Sequence, residues 1–138
     1  MEYPGEHNGR KVYWWRYALD YDDLPVSNWI CFALADTSPG YDVYSKFVRA
    51  AIDRNILEYK VQGCFSEKLH DEFDEIVVLM EVLENHADIN AITTWHQDEG
   101  PASTFWQCFY ATSFTLTPDC DDPKIVCVDF DNQIRERK

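Results

Sequence analysis

The sequence lacks the short motifs that mark the common nucleotide-binding and nucleophilic sites. It contains only five glycines, and they form neither the G-x-G-x-x-G pattern of dinucleotide sites nor the GxxxxGK[ST] pattern of phosphate loops. The G-x-S-x-G pattern that presents a nucleophilic serine is missing as well. These absences argue against a nucleotide site of the usual kind and against a serine hydrolase.

Basic residues are also scarce, with 12 Lys and Arg against 25 Asp and Glu, which gives a formal net charge of -13 at pH 7. Such a chain repels phosphate, so we expect no nucleic-acid partner. A negative field attracts a basic protein, although charge of this size also serves solubility alone. The composition therefore leaves both interpretations open.

Paired cysteines, a signal peptide and long apolar runs are missing too. The number of cysteines is odd and no C-x-x-C spacing occurs, so we expect reduced thiols in a cytoplasmic protein. Residues 1–10 are polar, and no apolar run approaches the ~20 residues of a membrane helix. We therefore expect no membrane partner. The cysteines are Cys31, Cys64, Cys108, Cys120 and Cys127.

What the sequence does contain is an alternation of strand and helix patterns. Strand-forming segments lie at 29–35, 59–63, 89–96 and 124–130, and amphipathic helical patterns lie between them. This order predicts a single-domain α/β fold, a Rossmann-like or flavodoxin-like three-layer sandwich with about four parallel strands and helices on both faces. The domain spans residues 28–130.

The strand at 59–63 alternates apolar and polar residues, which is typical of an edge strand. Placing it at an edge gives the strand order 2-1-3-4 and makes the 89–96 strand internal. The switch point of the sheet would then lie between the strands that end near Asp36 and His96.

Outside this domain we expect an N-terminal arm with an aromatic segment over residues 1–27 and a polar tail over 131–138. The first ten residues read as a loose arm, and Val12 to Leu19 as either an added edge strand or an irregular aromatic cover. Trp29 and Trp106 lie on buried patterns. Trp14 and Trp15 should point to opposite sides of a strand, with at least one near the surface.

Polar residues at the ends of the predicted strands are the candidates for chemistry. Asp36, His70 and His96 could converge there for acid–base work. The alternative is that they are ordinary helix caps and loop residues. No compact ligand spacing is visible, so we expect neither a bound metal nor a cofactor.

The helix predicted after Ser66 carries an acidic face over Glu67–Glu84, and we expect exposed aromatic residues near that face. Acidic rims steer basic partners and aromatic anchors hold them. The candidate partner-binding residues are Glu67, Asp71, Glu72, Asp74, Glu75, Trp95, His96, Asp98 and Glu99.

Two stretches carry a resemblance: Gly63-Cys64 leading into residues 70–75, and Thr93 to His96 with Asp98 and Glu99. Over roughly residues 28–130 the pattern resembles small uncharacterised bacterial proteins with a Rossmann-like α/β fold. That resemblance implies a fold and no activity. In size and acidity the chain is also similar to bacterial immunity proteins, which neutralise toxins by binding them.

Two functional hypotheses follow. The first is an acidic cytosolic binding module for a basic protein partner, which could be a toxin if the protein acts in immunity or defence. The second is a small enzyme or ligand-binding domain that uses the His and carboxylate cluster at the strand ends. The sequence favours the first and leaves the oligomeric state open.

Overall fold

The computed structural model describes residues 2–7, 9–17, 20–97, 100–110 and 123–130. Its strands and helices follow the alternation read from the sequence, with two further strands at the start of the chain. The strands are β1 Glu2–His7, β2 Arg10–Trp14, β3 Trp29–Leu34, β4 Glu58–Gln62, β5 Ile92–His96 and β6 Lys124–Asp129. The helices are α1 Tyr41–Asp53, α2 Ser66–Val82 and α3 Pro101–Tyr110, with a single turn of 3-10 helix at Tyr21–Asp23.

The strands form one mixed sheet in the order β1-β2-β6-β3-β4-β5. Neighbours from β2 to β5 pair in parallel, and β1 pairs antiparallel with β2. The expected α/β class is confirmed, but the flavodoxin-like order 2-1-3-4 is wrong. If β3, β4, β5 and β6 are numbered 1 to 4, their spatial order in the sheet is 3-2-1-4. The first four strands of a Rossmann sheet have the same order.

The N-terminal residues were expected to form a loose arm, and that expectation is wrong. β1 and β2 form a hairpin, and β2 extends the sheet by pairing with β6. The segment therefore belongs to the same sheet as the α/β units. The expected polar tail, residues 131–138, lies outside the described residues.

The helices lie on both faces of the sheet, as expected. α1 and α2 pack on one face with Trp15, Trp29 and Phe130 in the larger core cluster. Cys108 of α3 packs on the other face with Phe32 in the smaller cluster. Right-handed crossovers explain this arrangement, because α1 and α2 carry the chain in one direction from β3 to β5 while α3 carries it back to β6. No helix within the described ranges has the length and apolarity needed to cross a membrane.

The larger core is largely aromatic. Trp15 stacks on Phe47 with ring centroids 5.6 Å apart, and Tyr59 stacks on Phe73 at 4.8 Å. The hydroxyl groups of Tyr44 and Tyr59 lie 2.9 Å apart, and the Tyr44 hydroxyl donates to the Leu69 carbonyl oxygen at 2.7 Å. Burial raises the pKa of both tyrosines. The two hydroxyl groups are thus hydrogen-bonded inside the core, and their hydrogen bonds connect α1, β4 and α2.

β4 is not the edge strand that its alternation suggested, because it lies between β3 and β5 and all five of its residues are buried. Tyr59 and Val61 face α1 and α2. On the opposite face Lys60 Nζ lies 2.8 Å from Glu58 Oε1, and both side chains are almost fully buried. The alternation therefore marks an internal ion pair and not a face open to solvent.

The tryptophans divide differently from expectation. Trp29 is fully buried as expected, but Trp106 is 55% exposed, so its assignment to the core is wrong. α3 buries Thr104 and Cys108 instead. Trp14 and Trp15 pack against the two different core clusters, which confirms that they point to opposite sides.

Gly63 fixes the junction between β4 and α2. Its φ is +121°, and a Cβ built there would lie 2.5 Å from the carbonyl oxygen of Ala35. Only glycine tolerates both the backbone angle and this approach. The carboxyl ends of β3 and β4 are thereby held together, with the Phe65 amide donating to Ala35 O at 3.0 Å.

The buried ion pair gives a prediction about stability. The Glu58→Gln variant leaves the Lys60 ammonium without its anion in a desolvated position. We expect a loss of about 3–5 kcal/mol in the free energy of unfolding, measured by urea denaturation. The double variant Glu58→Gln/Lys60→Met should recover most of that loss, because the buried Lys60 ammonium is then removed together with its anion. A single variant as stable as the wild type would contradict this account.

Candidate functional site

β3, β4 and β5 are neighbouring parallel strands, so their carboxyl ends lie side by side at the same end of the sheet. Asp36 follows β3 and is exposed, and its Oδ1 accepts a hydrogen bond of 3.4 Å from the amide of Cys64. The amide of Gly63 donates to the carbonyl oxygen of His96 at 3.4 Å. Asp36 therefore acts at least in part as a cap on the turn that precedes α2.

His70 and His96 do not converge on one site. The ring of His70 lies 4.6 Å from that of Trp95, on the face covered by α2. His96 is the next residue in the strand, so its side chain points to the opposite face. There it is buried, and its Nε2 lies 3.0 Å from the Thr94 hydroxyl. Across the described part of the chain, no group of three or more His, Cys, Asp and Glu side chains is arranged to hold a metal ion.

A connected polar network links α2 to β5. His70 Nδ1 lies 3.1 Å from Asp71 Oδ1, and His70 Nε2 lies 3.5 Å from Asp74 Oδ2. The Thr93 hydroxyl donates to Asp74 Oδ1 at 2.9 Å. His70 and Asp74 are four residues apart on α2, a spacing that places both side chains on one face of a helix. The imidazole thus holds two carboxylates in place beside the strand.

Trp95 completes this surface. Its side chain lies on the same face as Thr93, two residues earlier in the strand, and it packs against the ring of His70. It is 46% exposed, on the outermost strand of the sheet. The residues of the α2–β5 surface are His70, Asp71, Asp74, Thr93 and Trp95.

A shallow open depression of about 550 Å³ adjoins this surface at the start of α2. Glu67 and Glu75 are exposed within it, while the Glu72 side chain is only 18% exposed. Acidic side chains predominate, so the rim of the α2–β5 surface is negative. The depression is lined by Cys64, Glu67, Lys68, Asp71, Glu72, Glu75 and Gln97.

Lys68 is the one cation among these lining residues, and it is already engaged. Its Nζ donates to the Ser38 hydroxyl at 2.7 Å and lies 3.9 Å from Glu72 Oε1. The other carboxylate oxygen of Glu72 is buried and has no hydrogen-bond partner among the described residues. Burial raises the pKa of Glu72, the nearby Glu75 adds to that rise, and Lys68 opposes it. An ionised Glu72 therefore costs the folded protein free energy.

The sequence indicated most of the acidic residues here, and Cys64 and Thr93 lie at strand ends where polar residues were expected to meet. It missed Lys68 and Gln97 as part of this region. Two expected binding residues, Asp98 and Glu99, lie outside the described residues. His96, also expected to bind a partner, is buried on the other face.

Among the described cysteines only Cys64 is exposed, and Cys31, Cys108 and Cys127 are buried free thiols. Burial raises the pKa of Cys108 to about 12, with Lys60 and Arg10 acting in the opposite direction and Glu58 adding to the rise. Thiols in such surroundings are poor nucleophiles at neutral pH. Cys120 lies outside the described residues.

Together the fold and these contacts define an α/β domain whose outermost parallel strand carries a half-exposed tryptophan beside an acidic helix. The family assignment agrees with a single domain: the model of the domain of unknown function DUF7684 matches residues 12–138, and the chain belongs to that family. No curated protein and no solved structure matches the chain.

The position of Glu72 gives a prediction about pH. A carboxyl group whose folded pKa is raised favours folding when it is protonated, and this contribution is lost as the pH rises through the folded pKa. We therefore expect Glu72→Gln to unfold at a higher temperature than the wild type at pH 7. The difference should shrink as the pH falls toward the usual pKa of glutamate, about 4.3. Thermal unfolding followed by circular dichroism at several pH values measures this.

The control is Glu67→Gln, because Glu67 lies on the same helix but is exposed. It removes the same charge without relieving burial, so its effect at pH 7 should be the smaller of the two. Equal effects of the two variants, or a gain for Glu72→Gln that persists in acid, would contradict the assignment.

Proposed function

We propose that this protein is a binding module that recognises a basic protein partner through the α2–β5 surface. The observation that carries the proposal is Trp95, 46% exposed, resting on His70 beside Asp71 and Asp74. Tryptophan is over-represented among the residues that dominate binding energy, and such residues act within a rim that excludes water. An aromatic anchor within a negative rim fits a partner that carries Lys and Arg.

Charge supports the same proposal. The chain carries a net charge of -13, and the exposed Glu67, Asp71 and Glu75 lie around the depression next to the anchor. A field of one sign raises the association rate of an oppositely charged partner and makes that rate depend on salt. The anchor would then determine how long the complex lasts.

In its more specific form the proposal is that the protein acts in immunity or defence, with a basic toxin as the partner. Such proteins act by binding and need no catalytic centre of their own. The alternative, a small enzyme that uses Asp36, His70 and His96, has less support because the sheet separates the two histidines.

The proposal predicts that Trp95 dominates the binding energy. With the immobilised protein, a basic partner is captured from the native host and its affinity is measured by calorimetry. The Trp95→Ala variant should bind at least about 30-fold more weakly, corresponding to the ~2 kcal/mol of an interface hot spot. The matched control is Trp106→Ala, which removes a comparably exposed tryptophan from α3 on the other face. Equal losses in the two variants would refute the assignment of the surface.

The acidic rim should act through the association rate. Replacing Glu67 and Glu75 by lysine changes the net charge from -13 to -9, since each replacement adds two positive charges. We expect association with the same partner to slow by about tenfold or more at low salt and its salt dependence to flatten, with a smaller change in dissociation. The Glu75→Lys change leaves the buried stripe of α2 untouched because Glu75 is exposed.

The control for the rim variant is the double variant Glu6→Lys/Asp42→Lys, which makes the same change in net charge at exposed positions on β1 and α1. If steering depends on the rim and not on total charge, this control keeps most of the wild-type rate. Identical rates for the two double variants would show that the position of the acids does not matter.

A further inference from the structure

Among the described residues, no strand pairs with the outer side of β5. β5 is the last strand of the sheet in the described part of the chain and pairs only with β4. On the paired side, the amide of Ile92 donates to Leu57 O at 3.0 Å and the His96 carbonyl oxygen accepts from the Gly63 amide. Backbone direction alternates along a strand, so Ile92, Thr94 and His96 face β4. Thr93 and Trp95 therefore direct their amides and carbonyl groups outward.

The two edges of the sheet differ in how they are protected. β1 contains Pro4, which has no amide hydrogen, and its pairing with β2 is irregular between Glu2 and Gly5. Proline and irregular pairing both discourage the addition of another strand. β5 has the sequence Ile-Thr-Thr-Trp-His, with no proline, no lysine and no acidic residue. Its β-branched and aromatic residues suit an extended partner.

We propose that the partner docks as an added β-strand on the outer edge of β5, and that the docking segment is basic at alternate positions. This inference rests on the proposed function and specifies its mode of recognition. The main chain of the segment would bond to the backbone of Thr93 and Trp95. Strand addition gains affinity from main-chain hydrogen bonds and specificity from alternate side chains.

The charges around the edge determine the pattern of the segment. Side chains on the α2 side of an added strand would lie next to Trp95 and near Asp71 and Asp74. A Lys or Arg at every second position would meet these carboxylates and the exposed indole ring. The intervening residues would lie beside Thr94 on the other side of the sheet, where β-branched residues fit.

A second copy of this chain is a poorer occupant. Each copy carries a net charge of -13. Pairing β5 with its own counterpart would bring the two acidic α2 helices toward each other, and like charges at an interface oppose association. A basic segment is instead attracted by the same residues.

The test uses a synthetic heptapeptide in which lysine and arginine alternate with valine between terminal threonines. Two control peptides have the same side chains: one groups the basic residues together, and the other carries methyl groups on its three central amide nitrogens. Binding is measured by fluorescence polarisation. Amide exchange of the whole protein is followed by NMR with and without peptide, and at two protein concentrations.

We expect the alternating peptide to bind with a dissociation constant below about 1 mM and each control at least about tenfold more weakly. Exchange of the Thr93 and Trp95 amides should slow on binding. The Thr94 and His96 amides, already bonded to β4, should change little.

Each contrary outcome has a definite meaning. The three peptides could bind equally well, with the Glu67→Lys/Glu75→Lys variant binding each of them more weakly. Recognition of basic peptides by the acidic surface would then be supported, and strand addition would be wrong. If Thr93 and Trp95 become protected at high protein concentration without peptide, the edge is occupied by a second copy and the proposal fails. If the alternating peptide does not bind below about 1 mM while a captured partner still requires Trp95, the mode fails and the proposed function survives.

Discussion

The arrangement of the molecule depends on the burial of β4 between β3 and β5. One side of β4 contributes Tyr59 and Val61 to the aromatic core beneath α1 and α2. The other side carries charges that are kept inside by the 2.8 Å contact of Lys60 with Glu58. Because β4 is internal, β5 becomes the edge of the sheet. The position of Trp95 follows from that pairing, and so does the outer edge of β5, with which no described strand pairs.

The class of fold could be predicted because it depends on local patterns. The apolar run of β3 and the stripe of α1 correspond to the buried residues, including Tyr44, Phe47 and Val48. The strand order could not be predicted in the same way, since the rule applied to β4 relates alternation to an edge. Opposite charges two residues apart on one face of a strand satisfy each other, so the same alternation can be fully buried. Glu58 and Lys60 were the signal that this had happened.

The candidate site was likewise predictable in composition but not in geometry. Asp71, Asp74 and Trp95 were identified from the acidic helix and the strand that follows it, and they do lie together. The expected convergence of His70 with His96 required both side chains to lie on the same face at the carboxyl ends of the strands. Adjacent residues of a strand point to opposite faces, and the contact of Trp95 with His70 assigns His96 to the other side.

A basic partner that binds through the α2–β5 surface would cover Trp95. The most direct measurement is hydroxyl-radical footprinting of the protein alone and in complex, with the oxidation of individual tryptophans read by mass spectrometry. Trp95 and Trp106 are comparably exposed in the free protein, at 46% and 55%. The oxidation of Trp106 therefore serves as an internal reference for the oxidation of Trp95. The account predicts that the partner suppresses oxidation of Trp95 and leaves that of Trp106 unchanged. Protection of Trp106 with Trp95 still reactive would place the partner on the opposite face and contradict it.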